Sequence, residues 1–291
     1  MHSLIEELVR SGPVVTDGAW GTQLQARGLE VGTSPEAWNL QHPDRVEEVA
    51  RAYVQAGSRL VLTNTFGGSR LALQRHGLAA QAAQVNRRGA ELSRRAAGTQ
   101  AWVFASIGPS GKLLVAGEVS EDELLDAFAE QAEALAEGGA DALVVETMTD
   151  AEEARIAVSA ARQTGLPVVC SMVFDSGPQH DRTLMGLTVE AAVAAMVDAG
   201  ADVVGANCGQ GVAGFVPVCR RIRAATELPV WIKANAGLPE VEGGRIVYRT
   251  SAEEFAAHVP ALAEGGASFI GGCCGTTPAF IRAVAEQLDR G

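Results

Sequence analysis

Eight short, β-rich apolar runs alternate with longer Ala-rich segments of helical period, and few folds accommodate that alternation. The runs are "VVTDG" (14–18), "RLVLTNT" (59–65), "WVFASIG" (102–108), "ALVVETM" (142–148), "PVVCSMVF" (167–174), "VVGANCG" (203–209), "VWIKANAG" (230–237) and "FIGGCCG" (269–275). Segments between them, such as "PDRVEEVARAYVQAG" and "EDELLDAFAEQAEALAEGG", place apolar residues at i, i+3, i+4 and i+7. Several end in glycine, a common helix stop. Strands followed by helices imply a parallel sheet with crossover connections. Eight strands is also the number that closes a (β/α)8 TIM barrel, which uses about 250 residues as one domain. The expectation is a single α/β barrel domain over residues 1–291. A doubly wound open sheet is the rival, but it gathers its ligand at one glycine-rich first turn. Here the unusual residues are spread over many strand ends.

The stretch from "VLTNT" to "VFASI" is longer than one helix needs, so extra structure is expected to cover the barrel mouth there. "SGPQHDRTLMG" (176–186) reads as another long loop. "MHSLIEELVRSGPVV" reads as a short amphipathic helix leading into the first strand, without a signal-peptide pattern. No apolar run approaches the roughly 20 residues that span a bilayer. The net charge of −12 argues against nucleic acid or an anionic membrane as partner, since both select a basic face. Five cysteines in a long chain do not make a disulfide framework, and a reducing cytoplasm is expected.

In such a barrel the carboxyl ends of the strands form the active-site face. Those ends carry Asp17, Asn64, Thr65, Glu146, Thr147, Asn207, Cys208, Asn235, Cys273 and Cys274. The sixth and eighth strands are two apart in the ring, so Cys208 can meet Cys273 and Cys274 over the mouth. Three thiolates with one open position suit a catalytic zinc ion. Thiolate-rich zinc is a poor generator of hydroxide, but it can hold a substrate thiol as a nucleophilic thiolate at neutral pH. Other readings stay open on spacing alone. The Cys273–Cys274 pair could be packing or a redox switch, and "GGCCGTTP" could be a phosphate-binding loop. Cys170 and Cys219 read as small hydrophobes.

Asp17 could merely cap a turn. Glu146 follows four apolar residues and is expected to enter a pocket. Two buried carboxylates at one mouth call for a cation, such as a substrate ammonium group. His76 and His180 read as solvated loop residues, and Trp20 as a pocket wall or a lid.

The stretches "DGAWGTQLQARG" (17–28), "AGSRLVLTNTFGG" (56–68), "GADALVVETMTD" (139–150), "GANCGQG" (205–211), "KANAGLP" (233–239) and "GGCCGTTP" (271–278) resemble the zinc-dependent homocysteine S-methyltransferases. The family includes betaine–homocysteine methyltransferases, S-methylmethionine-dependent enzymes and the homocysteine domain of cobalamin-dependent methionine synthase. The resemblance spans about residues 11 to 288 and implies a (β/α)8 barrel. It also implies zinc on Cys208, Cys273 and Cys274, with Asn235 at the position of a fourth contact when substrate is absent. By the same resemblance Asp17 and Glu146 hold the homocysteine amino group, and the backbone of Gly18 and Ala19 receives its carboxylate.

Betaine enzymes hold a quaternary ammonium group with aromatic residues. Gly67 in "TFGGS" and Thr147 in "VVETM" stand where those enzymes have tyrosines. "GTSPEAWNL" lacks the family tryptophan before its proline, although Trp38 lies nearby. The chain is therefore most similar to the homocysteine domain of methionine synthase, yet no residues remain for folate or cobalamin domains. The expectation is a stand-alone enzyme making methionine from homocysteine, its donor a separate methyl-corrinoid protein or a small onium compound. The rivals are a betaine–homocysteine methyltransferase, a metal-free phosphate-binding barrel aldolase or isomerase, and a thiol-binding subunit of a corrinoid methyltransferase complex.

Overall fold

The structure is a computed structural model that describes residues 2–242 and 245–290. Its parallel strands are β1 (Val14–Val15), β2 (Leu60–Val61), β3 (Trp102–Ile107), β4 (Ala142–Met148), β5 (Val168–Met172), β6 (Val203–Gly211) and β7 (Val230–Asn235). A two-stranded antiparallel hairpin, β8 (Glu240–Glu242) with β9 (Arg245–Val247), interrupts the series before β10 (Ala267–Gly272). Each barrel strand from β2 to β7 bonds to the next, β7 bonds to β10, and β10 bonds to β1. The first strand thus lies beside the last, as in a barrel and not in an open doubly wound sheet.

The ring closes between β1 and β2 by a different route. The Arg59 amide donates to the Val15 carbonyl (2.9 Å) and the Ser58 hydroxyl to the Thr16 carbonyl (3.3 Å). The Leu62 amide donates to Asp17 Oδ2 (2.8 Å), so a side chain stands in for a strand partner. On the β2 side β1 is thus joined by isolated bonds, while on the β10 side its bonding runs past Val15: the Thr16 amide donates to the Ile270 carbonyl (2.9 Å) and the Asp17 carbonyl accepts from the Gly272 amide (3.0 Å).

Two hydrophobic cores follow from the period of two along each strand. Outward residues such as Val145, Cys170, Val204, Ile232 and Ile270 pack under the helices. Inward residues form a second cluster of Val14, Leu60, Phe104, Val144, Val169, Val203, Trp231 and Phe269. Three of these rings meet, Trp231 lying 5.4 Å from Phe269 and 6.2 Å from Phe104 between centroids. The N-terminal helix Ser3–Val9 adds Ile5 and Leu8 to this cluster, closing the amino end of the barrel. Two residues further along the same faces the interior becomes polar, with Ser106, Glu146, Ser171 and Lys233. The active-site floor is therefore the upper surface of an aromatic plug.

Between the second and third strands the extra length forms the short helix Arg70–Leu73 and two 3-10 turns ahead of the crossover helix Ala82–Ala97, and none of these elements lines the cavity at the barrel mouth. Residues 176–186 form a loop pinned by bridges between Ser176 and Arg182 and between Arg182 and Thr188. Among the described residues no helix is long and apolar enough to cross a membrane.

Close approach of β6 to β7 depends on Gly205, where an added Cβ would lie 1.9 Å from the Trp231 carbonyl oxygen. Backbone cannot swing aside as a flexible side chain can. Gly205→Ala is expected to cost about 3 kcal/mol, the upper end for overpacking. Gly21→Ala, with nothing within 4 Å of its Cβ, should leave stability unchanged or slightly raised. Denaturant midpoints of the two variants check the contrast.

Candidate active site

The carboxyl ends of the strands enclose a cavity of about 390 Å³ whose lining includes Cys208, Cys273 and Cys274. The candidate ligand atoms of these cysteines all lie within 4.8 Å of one another, and the Cys208 and Cys274 sulfurs are 3.8 Å apart. Among the described residues no other group of three His, Cys, Asp or Glu gathers in this way. A larger depression of about 650 Å³ lies between the start of the helix Val212–Ala225 and the chain around Gly237 and Thr250, and none of the three thiols lines it.

The backbone is bent to bring the sulfurs together. Cys208 has φ +62°, a left-handed conformation uncommon for a residue with a side chain, and Gly209 follows at +77°. Here the β6–β7 register shifts between Asn207 and Gly211. After β10, the Cys273 amide donates to the Ala234 carbonyl (2.7 Å), and the Cys274 carbonyl accepts from the Ala236 amide (2.9 Å). The turn ends at Gly275, where a Cβ would sit 2.3 Å from the Tyr248 ring. The amides of Gly272, Cys273, Gly275 and Thr276 all donate within the fold. The "GGCCGTTP" turn therefore presents sulfur to the cavity, and those four amides do not form a phosphate cradle.

Hydrogen bonds from Cys273 and then Cys274 lower the Cys208 thiol to about 3, with the Gly209 amide and the Asn235 side chain helping against burial. The same contacts push Cys273 well up, and donation to Cys208 raises Cys274 to about 11. The three thiols titrate together, and their mutual hydrogen bonds favour a thiolate shared within the triad, a set in which a divalent cation can replace the shared protons. Asn235 Oδ1 is buried and has no hydrogen-bond partner among the described residues. Three sulfurs and one orphaned amide oxygen are a donor set that fits a tetrahedral ion. Cys170 and Cys219 are buried elsewhere, each raised to about 12, chiefly by burial.

Asp17 is fully buried and already well supplied with donors. It accepts from the Leu62 amide (2.8 Å), the Trp20 indole (2.7 Å) and the Lys233 ammonium. The side chains of Asp17 and Lys233 are 0% and 2% exposed, so the chain itself supplies a cation for this carboxylate. Sequence reasoning passed over Lys233. Its signal was a lysine two residues after Trp231 on the inward face of "VWIKAN". Glu146 is also buried in the wall, where the Ser106 hydroxyl donates to Oε1. Burial raises its pKa, while the Lys233 charge pulls the other way. The next residue, Thr147, has φ +63°. Asn207 clamps it, accepting from the Thr147 amide (2.9 Å) and donating to its hydroxyl (2.7 Å).

Gly18 and Ala19 line the cavity, but the Ala19 amide donates to the Thr276 hydroxyl (3.1 Å). Of the aromatic candidates, Trp20 lines the cavity and Trp38 is buried outside it, beside His42 and Arg45. Phe66, 43% exposed and not singled out from sequence, is a second ring in the lining. A Cβ on Gly67 would meet the Glu36 carboxylate at 2.9 Å, and one on Gly68 would strike Asn86 at 2.2 Å. Gly68 therefore serves internal packing and does not widen the mouth. Asn64 donates to the Pro35 carbonyl and Asn39, and Thr65 to the Ser106 carbonyl, so both brace the wall. His76 and His180 are exposed.

A sequence profile described as homocysteine S-methyltransferase matches residues 14–288. A methionine synthase of Mycobacterium leprae is 35% identical over 95% of the chain, and one of Mycobacterium tuberculosis is 34% identical over 94%. The chain spans 24% of the length of each. The metallated homocysteine methyltransferase MmuM of Escherichia coli superimposes with a TM-score of 0.81 at 23% identity, over 97% of this chain and 99% of that one. At that identity the likeness speaks for the fold.

The thiol triad makes a chemical prediction of its own. In metal-free protein the thiolate shared within the coupled triad persists as pH falls from 8 to 6, where an ordinary thiolate population drops about tenfold per unit. Iodoacetamide at pH 6 should therefore label a cysteine of the triad ahead of Cys170 and Cys219, as read by peptide mass mapping.

Proposed function

The chain belongs to the homocysteine S-methyltransferase family, and on that premise we propose that it methylates the thiol of homocysteine to give methionine. The observation carrying this reading is one cavity that joins three converging thiols to the buried Glu146 carboxylate. A thiol amino acid has complementary ends for the two walls.

Cys208, Cys273 and Cys274 would hold zinc, with Asn235 as the fourth contact before substrate enters. Zinc supplies the Lewis acidity that keeps a substrate sulfur ionised near neutral pH. The protein's own groups do the positioning. Glu146 receives the substrate ammonium group, and the field of Asp17 adds to its attraction. The backbone at Gly18 and Ala19 faces the substrate carboxylate. Held at both ends, the sulfur attacks the methyl carbon in line, and the donor departs with the bonding electron pair. Orientation supplies much of the rate, since well-aligned reactants reach effective molarities of about 10⁵ M or more. No side chain is asked to remove a proton from carbon.

The donor we favour is a methyl-corrinoid, a reading that follows the resemblance to the homocysteine domain of cobalamin-dependent methionine synthase and agrees with relatives named methionine synthase. A second reading, a small onium donor, is favoured by the Trp20 and Phe66 rings in the lining. Glycine betaine is the weaker onium candidate, because Gly67 and Thr147 offer no ring faces, each worth about 0.5–2 kcal/mol to a desolvated cation. The unpaired thiols of all five cysteines suit a reducing, cytoplasmic setting.

Two measurements test the proposal. Metal analysis after zinc-replete expression should find one zinc per chain, and well under one in Cys208→Ser or Cys274→Ser. Purified protein given homocysteine should form methionine with methylcobalamin or an onium donor, and only weakly with betaine. Betaine turnover at kcat/KM above about 10⁴ M⁻¹s⁻¹ would reverse the donor argument. Absence of methionine with every donor would remove the function itself.

A further inference from the structure

We infer that Lys233 is the receptor for the carboxylate of the thiol substrate, an inference that rests on the homocysteine reading above. Among the described residues lining the cavity, Lys233 is the one with a cationic side chain. Everything else charged there is acidic or can become a thiolate, namely Glu36, Glu146 and the three cysteines, with Asp17 directly behind the wall. A carboxylate placed against Gly18 and Ala19 sits next in sequence to Asp17. Without a cation beside it, that placement sets two like charges together in a poorly solvated site. The Ala19 amide is already committed to Thr276, so backbone donation there is reduced.

Lys233 has what this role requires. It projects from β7 above Trp231, with Nζ 5.9 Å from the ring centroid, and is held by Asp17. An ammonium group has three donors, so the Asp17 bond leaves two for a ligand. Asp17, in contrast, already accepts from three groups of the chain. Glu146 has only the Ser106 hydroxyl as donor among the described residues. The division follows from that difference. Glu146 takes the substrate ammonium group, Lys233 takes the carboxylate, and Asp17 holds Lys233 in place. The ligand class selected is a zwitterionic α-amino acid thiol, in preference to a thiol bearing one charge alone.

Calorimetry on zinc-loaded protein tests this with three ligands: homocysteine, homocysteine amide, which lacks the carboxylate charge, and 4-mercaptobutyrate, which lacks the amine. Lys233→Met is expected to lower the preference for homocysteine over its amide about 10- to 100-fold, as for loss of a charged hydrogen bond. Glu146→Gln should weaken homocysteine and its amide by similar factors and spare 4-mercaptobutyrate. Lys233→Met leaves Asp17 buried and unpaired, a severe defect. The double variant Asp17→Asn/Lys233→Met removes both charges, and the same homocysteine-to-amide ratio is read in it. If that ratio stays at the wild-type value in both variants, Lys233 merely supports Asp17 and the inference is overturned while homocysteine binding stands. If wild-type protein binds no homocysteine at all, the functional reading falls and takes this inference with it.

Discussion

One buried carboxylate, Asp17, ties the barrel to its chemistry. It closes the β1–β2 seam through the Leu62 amide, fixes the Trp20 ring at the cavity wall and anchors Lys233. A buried charge with too few partners is costly, and one with three well-placed donors is a rigid junction. Removal of any donor would therefore be felt in three places at once: the seam, the aromatic wall and the charge balance of the pocket. Seam and site share the same atoms, so the architecture cannot be relaxed at the mouth without opening the ring.

The interior is graded along the barrel axis. Aromatic and aliphatic residues fill the lower part and serine, glutamate and lysine follow one inward step higher. That step is a single period of the strand, so the polar layer inherits its rigidity from the Phe104–Trp231–Phe269 contact beneath it. Strain is concentrated at the top. Thr147 and Cys208 both occupy left-handed backbone, conformations that cost of order 1–3 kcal/mol and persist only where surroundings over-determine them. The Asn207 clamp on Thr147 and the β6 register shift are those surroundings.

Much of this was legible in the chain because repeating patterns carry it. The eight runs located the strands, and their ends named the three cysteines and Glu146. What stayed hidden depends on contacts between distant segments. Lys233 and Asp17 are far apart in sequence, and no local pattern announces that one neutralises the other. The cation that two buried acids demanded was sought in the substrate, whereas Lys233 provides one from within. Gly68 is small because Asn86 occupies the place of its side chain, and Phe66, two residues earlier, is a cavity-lining ring that no local pattern marked out. The β8–β9 hairpin was missed because "PEVEGGRIVY" is short and polar between two stronger signals.

The order of strands has a thermodynamic corollary. β7 lies between β6 and β10, hydrogen-bonded to both, and the three sulfurs stand at the ends of those outer two. The middle strand carries Lys233 and Asn235. Anything that draws the sulfurs together thus grips the strand presenting the amino-acid end of the pocket, and anything that settles on that strand steadies the sulfurs. Any coupling carried by that shared strand is reciprocal by linkage: each ligand would alter the affinity for the other by the same factor.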